Sequence, residues 1–193
     1  MLSLPDELWL SIIKYSGVID FVNVSLTCKR FHNIANSSYF KSIWYYKNLL
    51  DELNRFTNIN KKMSISAKYG DKDLVDFFIT KGADDWNRGI DGAAKCGHKD
   101  LVEFFIAKGA NHWEGGMRSA ALDGHKDLVE FFIAKGANHW NWGMMYAAKG
   151  GHKELVEFFI AKGANNWNDG IYCAALGGHK DLVDFFRQKN INT

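Results

Sequence analysis

The chain has 193 residues with 24 Lys+Arg against 22 Asp+Glu, and it is 47% hydrophobic and 15% aromatic. This composition suits a folded protein rather than a disordered one, and a net charge of +2 supplies no global field directing the chain to nucleic acid or a membrane surface. Cys28, Cys96 and Cys173 lie far apart with no CxxC pair, which suits a reducing compartment and excludes a disulfide framework.

The first residues carry Asp6 and Glu7 in place of a basic flank and apolar core, so no signal peptide is expected. No apolar run approaches the roughly 18 residues of a membrane span. A soluble, cytoplasmic (possibly nuclear) protein is the expectation.

Leu4-Pro5-Asp6-Glu7-Leu8 has the form of a helix start: proline at the first helical position loses no hydrogen bond, and two acids suit the positive helix end. Leu8, Ile12 and Ile13 fall on one stripe, and Gly17 is placed to end the helix. Further apolar positions (Phe21, Val24, Leu26, Cys28, Phe31, Ile34, Phe40, Trp44) predict three short helices over residues 1–46. Three such helices are too few to close a core alone, so part of their apolar surface is expected to meet a partner.

Leu4 to Leu8, the Asp20-Phe21 pair, the Leu26, Cys28, Lys29, Phe31 group and Trp44 together resemble an F-box, in register over about residues 2–46. The resemblance implies docking on a Skp-type adaptor of a cullin-based ubiquitin ligase, with Leu4, Pro5, Leu8, Ile12, Ile13, Leu26 and Cys28 facing the adaptor. Ser16 departs from the family, which usually places an apolar residue there. The alternative is a three-helix cap for the repeats that follow. Residues 47–58 form an expected helical bridge, with Leu49, Leu50, Leu53 and Phe56 near one face and no Gly/Ser linker to loosen it.

From residue 59 the chain repeats itself. Gly97 to Trp113 returns nearly letter for letter as Gly124 to Trp140 and Gly151 to Trp167, a step of 27 residues. A fixed period of this size marks a stacked array of supersecondary units. The expected units are 59–85, 86–112, 113–139, 140–166 and 167–193, each a helix pair; in one copy the helices run from about Glu114 to Leu122 and from about Lys126 to Lys135. Leu128, Val129, Phe131, Phe132 and Ile133 cover roughly 200° of the second helix, twice the stripe of a helix packed on one side. Such a helix needs neighbours on both sides, so only the stack is stable. In the last copy Arg187-Gln188 replaces Ile-Ala, a water-facing end, and the bridge is expected to cover the opposite end.

Ala147, Ala148, Gly151, His152, Leu155, Val156, Phe158, Phe159, Gly163 and Ala164 resemble the two-helix core of ankyrin repeats, over about residues 59–193. The usual ankyrin unit is 33 residues; the shortfall is the β-hairpin finger, and no copy keeps the Thr-Pro turn because Pro5 is the chain's only proline. The expected fold is therefore all-α: an F-box-like three-helix domain joined to an α-solenoid of about five ankyrin-like helix pairs without fingers. Shortened repeats behind an F-box resemble those of large DNA viruses and some protists, and a viral origin would place the protein in the host cell.

Trp86, Trp113, Trp140 and Trp167 occupy the shortened connections. They form either a binding ladder or, as their recurrence favours, a structural filling of the space left by the hairpin. Counting from each tryptophan, positions four, seven and eight of the first helix barely vary, whereas two, five, six and nine change freely. The variable offsets are i, i+3, i+4, i+7, one helix face. A packed face must repeat because its neighbours repeat; an exposed face need not. Either drift on an unused surface or target binding explains that variation, and a Trp-Met-Tyr-Tyr cluster is costly to leave in water without a use. The candidate target-binding residues are Arg88, Asp91, Arg118, Ser119, Leu122, Trp142, Met145, Tyr146, Asp169 and Tyr172.

His98, His125, His152 and His179 recur at one helix start, with His112 and His139 in the connections. Stacked helices lie about 8–10 Å apart, whereas zinc holds its ligands at about 2.0 Å, so capping or hydrogen bonding at the Gly-His turn is the expected role. The Lys-Asp/Glu runs are expected to face solvent. No nucleophile elbow, P-loop, HExxH or Cys/His cluster is present. The sequence reads as a non-catalytic receptor, monomeric outside its complex, that needs no cofactor or metal and contacts neither nucleic acid nor membrane. It would recruit a Skp-type adaptor and hold an unknown target protein; the alternative is a sequestering module whose leading helices only cap the array.

Overall fold

A computed structural model describes residues 48–49 and 52–191. The three helices expected over residues 1–46 and the seven positions expected to face an adaptor lie outside these residues. The chain divides into two compact units, Met1–Arg55 and Phe56–Thr193. Of the first, residues 48–49 and 52–54 are helical, with Leu49 and Leu53 buried.

Among the described residues the second unit holds ten helices: α1 (Ile59–Lys68), α2 (Lys72–Thr80), α3 (Trp86–Lys95), α4 (Lys99–Ala107), α5 (Trp113–Leu122), α6 (Lys126–Ala134), α7 (Trp140–Gly150), α8 (Lys153–Ala161), α9 (Trp167–Gly177) and α10 (Lys180–Ile191). Among the described residues every regular element is a helix. The helices pair as repeats 1 to 5. Each first helix packs on its own second helix and on the first helices of the neighbouring repeats, so the fold is a helical solenoid.

The periodic residues explain this packing. Met117, Ala120 and Ala121 of α5 are fully buried, as are Met144, Ala147 and Ala148 of α7, so methionine fills and alanine permits close approach between first helices. In the second helices Leu128, Val129 and Phe132 are buried with their counterparts in α4 and α8. Gly143 of α7 faces Phe159 of α8 so closely that any Cβ would overlap the ring; position three is glycine in repeats 2 to 5, where the pair closes this tightly, and Lys62 in repeat 1.

The expected wedge of five buried apolar residues is narrower in the structure, because Phe131 and Ile133 are only half-buried. Phe131 is instead covered by lysines: Lys99 of the preceding repeat lies 5.6 Å from the ring centroid and Lys135 of its own repeat 5.5 Å. Lys126 and Lys162 flank Phe158 likewise, at 5.7 and 5.6 Å. Cation–π contacts of this kind contribute about 0.5–1 kcal/mol at exposed sites, so part of the expected solvated face fastens repeats together.

Two polar ladders add to the stacking. His125 Nε2 lies 3.1 Å from the Lys95 carbonyl, His152 Nε2 3.1 Å from that of Leu122, and His179 Nε2 3.2 Å from that of Lys149. A carbonyl only accepts, so Nε2 donates. The histidines make no side-chain cap on their own helices; the bond instead satisfies a carbonyl in the last turn of the preceding first helix. The imidazole also covers the preceding helix's terminal glycine: a Cβ on Gly124, whose φ is +85°, would stand 2.6 Å from His152 Cε1. In the second ladder, Asn87 Oδ1 accepts from the Asn111 and His112 amides at 2.8 and 3.0 Å, and Asn141 Oδ1 from those of Asn165 and Asn166 at 2.8 and 3.0 Å. Glu114 takes the same place toward the Asn138 amide at 2.7 Å. Each side chain at position one thus holds the next repeat's connection.

The array ends differently. Inner second helices stop before a Lys-Gly pair; repeat 5 has Lys189-Asn190 and continues to Ile191, with Arg187 and Gln188 exposed. Asn190 Nδ2 donates to Asn168 Oδ1 at 3.2 Å, the acceptor that would otherwise hold a following connection.

Candidate target-binding strip

The outward face of α3, α5, α7 and α9 is set by helix phase. Burial of positions four, seven and eight turns positions two, five and nine away from the neighbours. Trp142 at position two of α7 is 45% exposed, and Tyr172 and Leu176 of α9 are 64% and 58% exposed. Arg88 is exposed, while Asp91, Arg118, Leu122, Met145 and Asp169 are half-buried.

Position six does not belong to this free face. Gly92 and Cys173 are buried, and Ser119 and Tyr146 are half-buried. A Cβ on Gly92 would clash with the Ser64 carbonyl of α1, so the residue there varies with the neighbour it meets rather than with solvent. Glycine also makes position two uneven: Gly115 is buried beneath His112 and Asp91. Burial pushes the Cys173 thiol up, with Asp169 adding to the shift and Lys149 opposing it, so it remains a protonated packing group.

Part of the candidate set converges. The Arg118 guanidinium lies 5.3 Å from the Trp142 ring and 5.4 Å from the Tyr146 ring, two aromatic faces supplied by the next repeat. Its Nε is buried without an acceptor. His139 meets Trp142 edge to face at 4.7 Å and lies 3.7 Å from Glu114. One step back along the array, Asp91 Oδ1 is buried without a hydrogen-bond donor and stands 3.9 Å from His112 Nδ1. Burial raises the Asp91 pKa, with His112 and Arg118 pulling it back.

Arg88 and Asp169 stand apart from this cluster. Arg88 pairs with Asp85 at 3.2 Å, and Asp169 with Asn166, each within one helix start. The sequence reading named His139 among the connection histidines and counted position nine, Lys149 in repeat 4, among the variable positions without adding either to the candidate set, and it missed the position-one asparagines. The signal for the last was present: asparagine follows the leading residue in Asn60, Asn87, Asn141 and Asn168. The tryptophans of the connections are half-buried, each at the first residue of its helix.

Nothing in this arrangement assembles reactive groups. Among the described residues no three His, Cys, Asp or Glu side chains are grouped to hold a metal ion, and no helix is long and apolar enough to cross a membrane. What the geometry does provide is an aromatic and charged surface on a stack of helix pairs.

A finger-less helical solenoid carrying such a surface belongs to the class of repeat scaffolds for protein–protein interaction. Residues 1–43 match the F-box domain family model, and residues 117–193 match the model for ankyrin repeats (3 copies). The chain therefore combines an F-box domain with ankyrin repeats, two families of interaction modules. No curated protein matches it.

Proposed function

We propose that this protein is a non-catalytic substrate receptor. Its F-box docks a Skp-type adaptor of a cullin-based ubiquitin ligase through Leu4, Pro5, Leu8, Ile12, Ile13, Leu26 and Cys28. Its repeats hold a target protein on the strip centred on Arg118, Trp142, Met145 and Tyr172, with the Tyr146 ring acting through Arg118, which it holds at 5.4 Å, in the cytoplasm or nucleus. The observation that carries the reading is the joining of an F-box domain and a repeat array in one chain. Large aromatic and arginine side chains dominate interface energetics, and Arg118 with Trp142 and Tyr146 supplies both at one point. Binding energy in such a receptor positions the target; the chemistry takes place on other subunits.

The test is co-purification of the full chain with a Skp-type adaptor. Capture that is lost on Leu8→Asp or Ile12→Asp, with the melting temperature of the repeats unchanged, supports the receptor. An intact chain that captures no adaptor but still holds a target favours a sequestering module instead. On the repeat side, Trp142→Ala and Tyr146→Ala are each expected to lower target affinity by about 1 kcal/mol or more.

A further inference from the structure

The strip is polarised along the array. Over positions two, five and nine of the five first helices the sequence places six cations and two carboxylates. Five of the cations (Lys61, Lys68, Arg88, Lys95, Arg118) belong to α1, α3 and α5, and only Lys149 lies beyond them. On these three positions the exposed large apolar side chains have the opposite distribution: Trp142, Tyr172 and Leu176 all belong to α7 and α9. Arg118 sits at the junction. It is held by the two rings of α7, its Nε has no acceptor, and no carboxylate pairs with it among the described residues.

We propose that the strip binds a polypeptide segment that is acidic in one half and aromatic or large aliphatic in the other. The acidic half lies over α1, α3 and α5 with a carboxylate on the Arg118 guanidinium; the apolar half lies over Trp142, Tyr172 and Leu176. The inference rests on the strip being the target-binding surface and adds the chemistry of what it takes.

Three features support this occupant over a basic or uniformly apolar one. Guanidinium recognises carboxylate with planar, paired hydrogen bonds, and stacking on aromatic rings fixes the plane before the ligand arrives. The two carboxylates that oppose an acidic ligand are held back from it: Asp169 Oδ2 already accepts from the Asn166 side chain, and Asp91 is half-buried with its Oδ1 enclosed. A basic ligand would meet an excess of cations in the first three repeats, even with Arg88 paired to Asp85, and a purely apolar one would leave Arg118 covered and unpaired, which is costly.

The test is selection of a display library of random linear peptides on the full-length chain. Enriched peptides are expected to place Asp or Glu beside an aromatic or large aliphatic block. Their binding, read by fluorescence anisotropy, is expected to fall about tenfold or more on Arg118→Glu, less on Arg118→Lys, and to weaken as salt is raised. Thermal melts of both variants establish that the repeats remain folded. Enrichment of basic or uncharged peptides, no enrichment, or binding indifferent to Arg118→Glu would overturn the proposal. Peptides of another composition that still lose affinity on Trp142→Ala and Tyr172→Ala would overturn the polarity and spare the strip. Peptides indifferent to all of these would remove both.

Discussion

Repeats 4 and 5 share asparagine at position one, alanine at positions seven and eight and the Gly-Gly-His turn, and differ in what surrounds these residues. Ala148 in α7 is fully buried, and Ala175, its counterpart in α9, is exposed. Gly151 lies beneath the His179 ring, while a Cβ on Gly178 would meet nothing within 4 Å. Asn141 holds two backbone amides of repeat 5; Asn168, among the described residues, meets the Asn190 side chain. A residue of this array therefore has little intrinsic role. Its contribution comes from the following repeat, as expected where stability is a sum of unit and nearest-neighbour terms.

The most severe way to break this comparison is a charge at position eight. Ala148→Glu buries an unpaired carboxylate between α7 and α9 and is expected to cost about 4 kcal/mol or more. Ala175→Glu places the same group in water, where surface substitutions stay within about 0.5 kcal/mol. Urea denaturation of both variants reads the difference. Equal losses would mean that the last repeat is covered as the inner ones are.

The glycines sharpen it next. Both Gly124 and Gly178 have positive φ, +85° and +80°, so alanine at either is strained by about 1–2 kcal/mol. At Gly124 the new methyl must also displace His152, which breaks the ring's bond to the Leu122 carbonyl. Gly124→Ala is accordingly expected to lower the melting temperature well beyond Gly178→Ala, because leaving a carbonyl unmet adds about 1–3 kcal/mol.

These pairs show what a single sequence can disclose. The helix pairs were legible because burial leaves a periodic trace: methionine and alanine recur wherever the neighbour recurs. The free face was legible for the complementary reason, in Arg88, Trp142 and Tyr172. Position six was misread since variation there follows the neighbouring repeat; Gly92 is small because Ser64 is close. The ladders were visible as letters and hidden as contacts. His152 bonds a backbone carbonyl 30 residues earlier, and Asn141 bonds amides 24 and 25 residues later. Backbone groups are present at every position and leave no mark in composition. Phe131 misled in another way, because its cover is charged, and lysines at a helix start read as solvated.

A milder contrast lies in the asparagines. Asn141→Ala releases the Asn165 and Asn166 amides, both in exposed surroundings where water replaces part of the bond. The expected loss is about 1 kcal/mol. Asn168→Ala removes one exposed side-chain contact and is expected to change stability by less than about 0.5 kcal/mol. Hydrogen exchange at the Asn165 and Asn166 amides gives the direct reading: faster in the first variant, unchanged in the second.

The smallest effect belongs to position five, where repeat 3 half-buries Asp91 while Tyr172 in repeat 5 stands exposed. Burial raises the Asp91 pKa above its ordinary 3.8, with His112, Arg118 and Arg88 opposing the shift and Asp85 adding to it. The folded state thus binds this proton more tightly than the unfolded one. Stability falls as pH rises from 3.8 through the raised value, and the loss is complete above it. Asp91→Asn keeps the shape and never ionises, so it is expected to raise the melting temperature slightly at pH 7, by the equivalent of about 0.5 kcal/mol at most. Below pH 3.8 the variant and the natural chain are expected to converge, since both carry a neutral group there. A variant less stable than the natural chain at pH 7 would mean that attraction to Arg118 and His112 outweighs burial.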